Sequence, residues 1–363
     1  MLQSGGQNLD TEPESGAAEL EADTGEQEGG RPPRQGYWRL VARQFRKNRM
    51  SVGGLCILLF LFGVALLAPF FAHEEPLYLH MDGETYWFVN VRDIPELRHM
   101  NFQQWEPGEE EAMIQPPVPH SPLSVNLRRR LEPPSSDHWL GTDDRGRDVL
   151  SRMIWGCRIS MSIGFVAMGI AASIGIVIGS LAGYYRGLVD SAAQRLIEIM
   201  MCFPQLILIL ALLAFVPEQN IFIIMVVLGV LGWTGIARLV RGEFLKLRES
   251  DFATAARATG VSDVRLMFRH LLPNALSPVL VAATFGVAGA ILMESALSFL
   301  GFGTPPPTPS WGEILSQSQT YINRPDGSWW LVTFPGVAIF VTVCSFNLVG
   351  DGLRDAMDPR LRQ

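Results

Sequence analysis

The chain has 363 residues, 48% hydrophobic and 18% charged, with a formal net charge of −7. That length would allow two or three soluble domains, but the apolar residues gather in blocks of roughly twenty, the length an α-helix needs to cross a hydrocarbon core of ~30 Å. A soluble globular protein is therefore excluded. So is a nucleic-acid partner, because the negative charge lies largely in an acidic N-terminal tail and no basic groove with interleaved aromatics occurs.

Residues 1–35, which include LDTEPESGAAELEADTGEQEGG, have too few large apolar side chains to offset the entropy of ordering and are predicted to be a disordered tail. A basic juxtamembrane segment follows over 36–50, GYWRLVARQFRKNRM, with Arg39, Arg43, Arg46, Lys47 and Arg49. Positive charge beside a first span sets that end in the cytoplasm, and Tyr37 and Trp38 suit the headgroup region. The first span is predicted over 51–71. No cleavable signal peptide is expected, since the first apolar block stands behind a long polar leader.

From 72 to 157 the chain is polar, Pro-rich and too long for a turn, so it is expected on the far side of the membrane. Within it YLHMDGETYWFVNV flanks an Asp-Gly turn signal with aromatic and β-branched residues, which predicts a hairpin. In GTDDRGRDVLSR, Asp148 stands four before Arg152, an i,i+4 pair on a helix. That stretch reads as a solvated entry helix, with ligand contact at Arg145 or Arg147 the lesser alternative.

Residues 158–350 form the predicted membrane core. The second span, 159–184, carries Gly175, Gly179 and Gly183 on one face, a spacing that lets helix backbones approach closely in lipid. The third, 196–216, contains Glu198 and a Pro204 able to kink it. The fourth, 221–240, ends at Arg238 and Arg241 and returns the chain to the basic, cytoplasmic side. A polar loop over 241–277 leads to the fifth span, 278–300. Glu294 and Glu198 each lie within a few residues of a span end and read as snorkelling or Arg195-paired acids, with substrate contact at Glu294 the sharper alternative. A Pro-, Gly- and Trp-rich external stretch then holds SWGEILSQSQTYI, read as a short interfacial helix. A sixth span over 331–349 precedes a cytoplasmic tail, 351–363. The fold class is thus an all-α integral membrane protein with six transmembrane helices and both termini cytoplasmic. An extended external segment separates the first two spans.

The loop DFATAARATGVSDVRLMFRHLLPNA, residues 251–275, is the most informative stretch. Ser250 or Asp251 is placed to cap a helix, the Ala-rich run propagates it, and Gly260 ends it in the left-handed conformation. Ser262 starts a second helix that Pro273 is expected to stop, with Arg265 and Arg269 on one face. By pattern alone this pair either lies on the inner leaflet or docks in a groove of a soluble partner.

The same residues carry a resemblance. TAARATGVSDVRLMFRHLLPN resembles the cytoplasmic coupling-loop signature of bacterial ABC importer permeases: Ala255, Ala256, Gly260, Leu272 and Pro273 match, and Thr254 stands where the family often has Glu. HWLGTDDRGRDVLSRMIWGCRIS, MESALSFLGFG and GDGLRDAMDPRLR are similar to segments of the dipeptide, oligopeptide and nickel permeases. The resemblance implies a permease subunit in a bacterial inner membrane. It would pair with a second homologous permease, one or two ATP-binding cassette ATPase subunits and an extracytoplasmic solute-binding protein. ATP and Mg would be bound by the ATPases. Peptides are the favoured cargo; nickel, another small solute or a peptide antibiotic stay open, as does a stand-alone membrane scaffold.

Negative signals agree with a transport subunit. No GxxxxGK[ST] phosphate loop, HExxH or GxSxG occurs, so no catalytic residue is expected. Cys56, Cys157, Cys202 and Cys344 lack ligand spacing and the six histidines are scattered, so no metal site is expected either.

Overall fold

The computed structural model describes residues 37–358 except 82, 93, 95–96, 98–99, 101, 103–104, 106–107, 109–110, 217–219 and 322–326. The acidic tail expected over 1–35, most of the 217–220 turn and the last five residues of the C-terminal tail lie outside the described residues. The chain divides into a unit ending at Leu40 and one running from Val41, and every apolar helix long enough to span a membrane belongs to the second.

Helix α1 (Tyr37–Lys47) leads to α2 (Arg49–Leu66), whose start is capped by Asn48 accepting from the Ser51 amide at 3.3 Å. A turn of helix, α3 (Ala68–Phe71), ends the first apolar block. The polar segment beyond it holds a three-stranded antiparallel sheet of order β2-β1-β3, made of β1 (Tyr78–Met81), β2 (Glu84–Trp87) and β3 (Ala112–Ile114). The expected hairpin pairs Tyr78 with Trp87 and Met81 with Glu84. Leu79 of the hairpin is buried in a small core with Val89, Leu97 and Phe102.

Helix α4 (Val149–Tyr185) has 37 residues, roughly 55 Å at ~1.5 Å per residue, so it exceeds a membrane core. It begins ten residues before the predicted second span, because Asp148 caps it by accepting from the Ser151 amide at 2.7 Å and its first turns are packed rather than solvated. After it come α5 (Gly187–Met201) and α6 (Gln205–Ala214), then α7 (Ile221–Leu247). The predicted third span is not one continuous helix: α5 and α6 meet at a bend of 80° around Pro204. Proline removes a backbone donor and clashes with the preceding turn, and here the break is complete. Among the described residues five helices are each long and apolar enough to cross a membrane, and the bent pair makes a sixth candidate crossing. The protein is an all-α membrane protein with a small sheet between its first two long apolar helices.

Three glycines bring α4 onto α7. A Cβ on Gly175 would fall 2.7 Å from that of Ile236, one on Gly179 2.5 Å from the Ala237 carbonyl, and one on Gly183 2.6 Å from the Phe244 Cβ. The helices meet backbone to backbone. Asp190 of α5 fastens to α7 by accepting from Arg241 Nε at 2.5 Å and a second guanidinium nitrogen at 2.8 Å.

Helix α8 (Asp251–Ala258) and the short α9 (Asp263–Arg265) follow, and then the chain does not stop at Pro273 as expected. A π-helical segment, Leu266–Leu271, runs directly into α10 (Leu272–Phe299), with the Leu272 amide bonded to the Met267 carbonyl. The widened turn shifts the bonding register just before Pro273, which then sits in the first turn of α10, where a missing N–H costs nothing.

Helix α11 (Trp311–Tyr321) is not an interfacial helix. Trp311, Gly312, Glu313 and Ile314 are buried, and the Trp311 indole donates to the Met153 carbonyl of α4 at 3.0 Å. It packs between α10 and α12 (Trp330–Met357), which continues two turns beyond the predicted sixth span.

Candidate functional site

Two regions carry functional geometry, one at each end of α4. At the C-terminal end lies the α8–α9 element. Ser250 occupies the cap position of α8, yet its hydroxyl bonds back to the Leu247 carbonyl instead of capping. The helix ends in a Schellman motif: the Val261 amide donates to the Ala256 carbonyl at 3.2 Å and the Gly260 amide to the Arg257 carbonyl at 2.9 Å, with Gly260 at φ +79°. Only glycine takes that conformation without a Cβ penalty.

The inner face of the element is anchored. Ala253, Leu266, Met267 and Leu271 are buried with Tyr184 and Phe244 in the main core. Tyr184 donates from its hydroxyl to Asp263 at 2.5 Å, Arg248 lies 5.6 Å from the Tyr184 ring centroid and donates to its carbonyl, and Arg257 donates to the Arg248 carbonyl at 2.9 Å. The outer face is open. Phe252, Val264 and Phe268 are exposed large apolar residues. Around them Asp251, Thr254, Ala255, Ser262, Arg265, Arg269 and Pro273 are also exposed, with Ala256 and Leu272 half-buried. A mixed apolar and basic surface on a firmly seated turn is suited to a protein groove, since aromatic and aliphatic anchors with Arg are the side chains that dominate such contacts.

At the N-terminal end of α4 most of the stretch read as solvated is buried, with Arg145 left exposed. Asp143 accepts from the Arg145 and Arg147 amides at 2.9 Å each and from Arg147 Nε at 2.6 Å. Arg152 is fully buried; it donates to Glu313 of α11 at 2.5 Å and to the Pro122 carbonyl at 3.0 Å, with Asp143 3.4 Å away. Two buried cations thus face two buried anions. The solvated reading fails for a physical reason: charges this close to a span are tolerated when paired and excluded from lipid.

Glu294 belongs to the same network. It is fully buried, so it neither snorkels nor pairs with Arg195, which instead holds Glu198 at 2.9 Å. Its Oε1 accepts from Ser298 at 2.7 Å and Ser310 at 2.9 Å, while the Ser310 oxygen accepts from the Glu313 amide at 3.0 Å. A polar chain therefore runs from α4 through α11 into α10. Beside it lies a cavity of about 320 Å³ lined by Arg145, Arg147, Thr304, Glu313 and Gln317, among others.

A further grouping escaped the sequence reading. His120, His138 and Asp148 each place one donor atom within 4.8 Å of the others on the wall of a cavity of about 790 Å³. Separations of eighteen and ten residues match no ligand motif, so only the fold reveals it. The one available signal was the adjacency of His138 to the charge-dense 143–152 stretch.

Against this geometry the comparisons with known proteins are decisive. The model for the binding-protein-dependent transport system inner membrane component matches residues 175–363, and that for the N-terminal transmembrane domain of oligopeptide transport permease C matches 36–86. The dipeptide transport system permease protein of Alkalihalophilus pseudofirmus is 34% identical over 338 residues, covering 91% of this chain and 94% of the relative. The chain belongs to the binding-protein-dependent transport permeases. The oligopeptide transport system permease protein of Bacillus subtilis is 32% identical, with 90% of each chain covered, and the dipeptide transport system permease protein of Haemophilus influenzae is 38% identical over 68% of this permease and 84% of its own length. The permease is a transport subunit, not an ATPase. Its exposed α8–α9 turn and its buried polar chain sit at opposite ends of the long helix α4.

Proposed function

We propose that this permease forms half of a translocation pathway for di- or oligopeptides in a bacterial inner membrane. One observation carries the reading: similarity to peptide permeases across nine-tenths of the chain. A second homologous permease completes the pathway, a solute-binding protein delivers cargo from outside, membrane lipid surrounds the spans, and one or two ATPase subunits, which hold ATP and Mg, bind from the cytoplasm. Both termini are cytoplasmic.

In this reading the α8–α9 turn is the coupling element. Asp251, Thr254, Ala255, Ser262, Arg265 and Arg269 face the ATPase with Phe252, Val264 and Phe268. Gly260 keeps the corner tight, and Ala256, Leu272 and Pro273 join it to α10. Because the turn is anchored to Tyr184 at the end of α4 and α4 is fused to α7 through Gly175, Gly179 and Gly183, movement of the turn carries both helices as one body. Glu294, fully buried, would stand behind the wall of the pathway and act on cargo only through its Ser298 and Ser310 partners.

The test is reconstitution of the permease with its partner permease, ATPases and binding protein in proteoliposomes. Binding protein loaded with a di- or oligopeptide raises ATP hydrolysis above that of unloaded protein. No stimulation by any peptide, together with stimulation by a metal chelate or another small solute, overturns the cargo assignment.

A further inference from the structure

We propose that His120 and His138, held by Asp137 and Asp148, bind a borderline divalent transition-metal ion of the zinc class in the cavity at the start of α4.

The protonation of both rings follows from their partners. Nε2 of His120 lies 3.1 Å from the Asp137 carbonyl oxygen. A carbonyl can only accept, so Nε2 carries the hydrogen and Nδ1 keeps a lone pair. Nδ1 of His138 lies 2.9 Å from Asp148 Oδ2, an acceptor when ionised, so this ring is protonated on Nδ1 and its lone pair is on Nε2. Neither lone pair has a hydrogen-bond donor among the described residues. The rings are 4.6 Å apart, centroid to centroid, and both line the large cavity. Two imidazoles, each donating one ring N–H to a carbonyl or a carboxylate, are the arrangement in which histidine ligates metal: the outer partner fixes the tautomer and raises the basicity of the free nitrogen.

The surroundings are rigid. Asp148 is 3% exposed, and its Oδ1 is occupied by the Ser151 amide. His120 is tied to α4 from the other side, through its own carbonyl to the Ser151 hydroxyl at 2.8 Å. The site is thus assembled before any ion arrives. Nitrogen donors with one nearby carboxylate select zinc, nickel, cobalt or copper over calcium or magnesium, which take oxygen ligands. Asp148 supplies the negative charge, and the cavity has room for water at the remaining positions. A bound ion would clasp the segment around His120 to the loop carrying His138, directly beside the buried Arg152–Glu313 pair. The metal site is independent of which cargo the permease carries.

The experiment uses the full-length permease, co-expressed with its partner subunits where it requires them, stripped with chelator and titrated with Zn²⁺ against a chromophoric competitor. Co²⁺ replaces Zn²⁺ for visible absorption. The expected result is about one tight ion per chain and a Co²⁺ band, both lost in His120→Gln and His138→Gln. Asp148→Asn, which can still cap α4, weakens affinity about 10- to 100-fold. His120 is half-buried, so His120→Gln decides the matter if His138→Gln does not fold. Zn²⁺ binding and a Co²⁺ spectrum unchanged in His120→Gln, or no binding by the unsubstituted protein, would overturn the proposal.

Discussion

Arg152, in the first turn of α4, and Glu313, in α11, stand 161 residues apart in the chain and 2.5 Å apart in the fold, with both side chains buried. Burying two charges is favourable only when the pairing and the remaining hydrogen bonds are complete. Here the Pro122 carbonyl and Gln317 add hydrogen bonds and the Asp143 carboxylate lies 3.4 Å from Arg152 Nε, a nitrogen that makes no hydrogen bond among the described residues. Removing one partner leaves the other charge stranded, so Glu313→Leu is expected to destabilise the protein by about 3–5 kcal/mol. Arg152→Met combined with Glu313→Leu should cost less than the sum of the two single changes. Thermal unfolding in detergent reads both, and Glu198→Gln, in the exposed Arg195 pair, is the control that leaves the transition in place. A double-variant loss equal to the sum of the two single losses would show that the pair is not energetically coupled.

Gly179 makes a sharper steric prediction. An added Cβ would fall 2.5 Å from the Ala237 carbonyl oxygen and 3.1 Å from its Cα, both backbone atoms that no rotamer can move. Gly179→Ala must push α7 off α4, with an overpacking cost of about 1–3 kcal/mol. Gly169, on the same helix, has nothing within 4 Å of its would-be Cβ, and Gly169→Ala should leave unfolding unchanged or slightly raise it, since alanine has the better helix propensity. A melting-temperature series across the two variants checks this.

These contacts mark where sequence reasoning succeeds and where it stops. Gly175, Gly179 and Gly183 were legible because four-residue spacing puts small side chains on one helix face whatever lies opposite. The Tyr78–Trp87 hairpin was legible from its Asp-Gly turn. Gly260 was legible because a lone glycine after an Ala-rich run has few roles other than a left-handed stop. Arg147 and Arg152 misled, since a charged helix turn looks solvated unless its partner, Glu313, is known to return from the far end of the chain. Pro273 misled for a local reason: the π turn at Leu266–Leu271 absorbs the missing donor, and no residue type in that run announces it. His120 and His138 meet only because the polar segment folds back on the start of α4.

Orientation has a direct test. With the native cysteines replaced, Ser136→Cys, exposed at the N-terminal end of α4, and Ser262→Cys, exposed at the start of α9, should label oppositely with a membrane-impermeant maleimide. Intact spheroplasts label the first, and the second reacts only after permeabilisation. The basic residues near the first span favour this direction. Labelling of Ser262→Cys in intact cells would reverse it.

The α8–α9 turn separates binding from folding. Phe252, Val264 and Phe268 are 43%, 61% and 43% exposed, so replacing them removes little internal packing, whereas as anchors in a partner's groove each can be worth about 2 kcal/mol or more. Val264→Asp and Phe268→Ala are expected to leave the melting temperature of the isolated permease unchanged and to strip the ATPase from it during affinity purification. Arg269→Glu should weaken co-purification in a salt-dependent way, because an exposed charge acts through a screened field. Gly260→Val behaves differently: at φ +79° a side chain costs about 1–2 kcal/mol, and the bend it strains sets the angle between α8 and α9, so both stability and ATPase retention should fall. If Val264→Asp instead lowers stability and keeps the ATPase, the exposed face is not the docking surface, and coupling must run through another part of the chain.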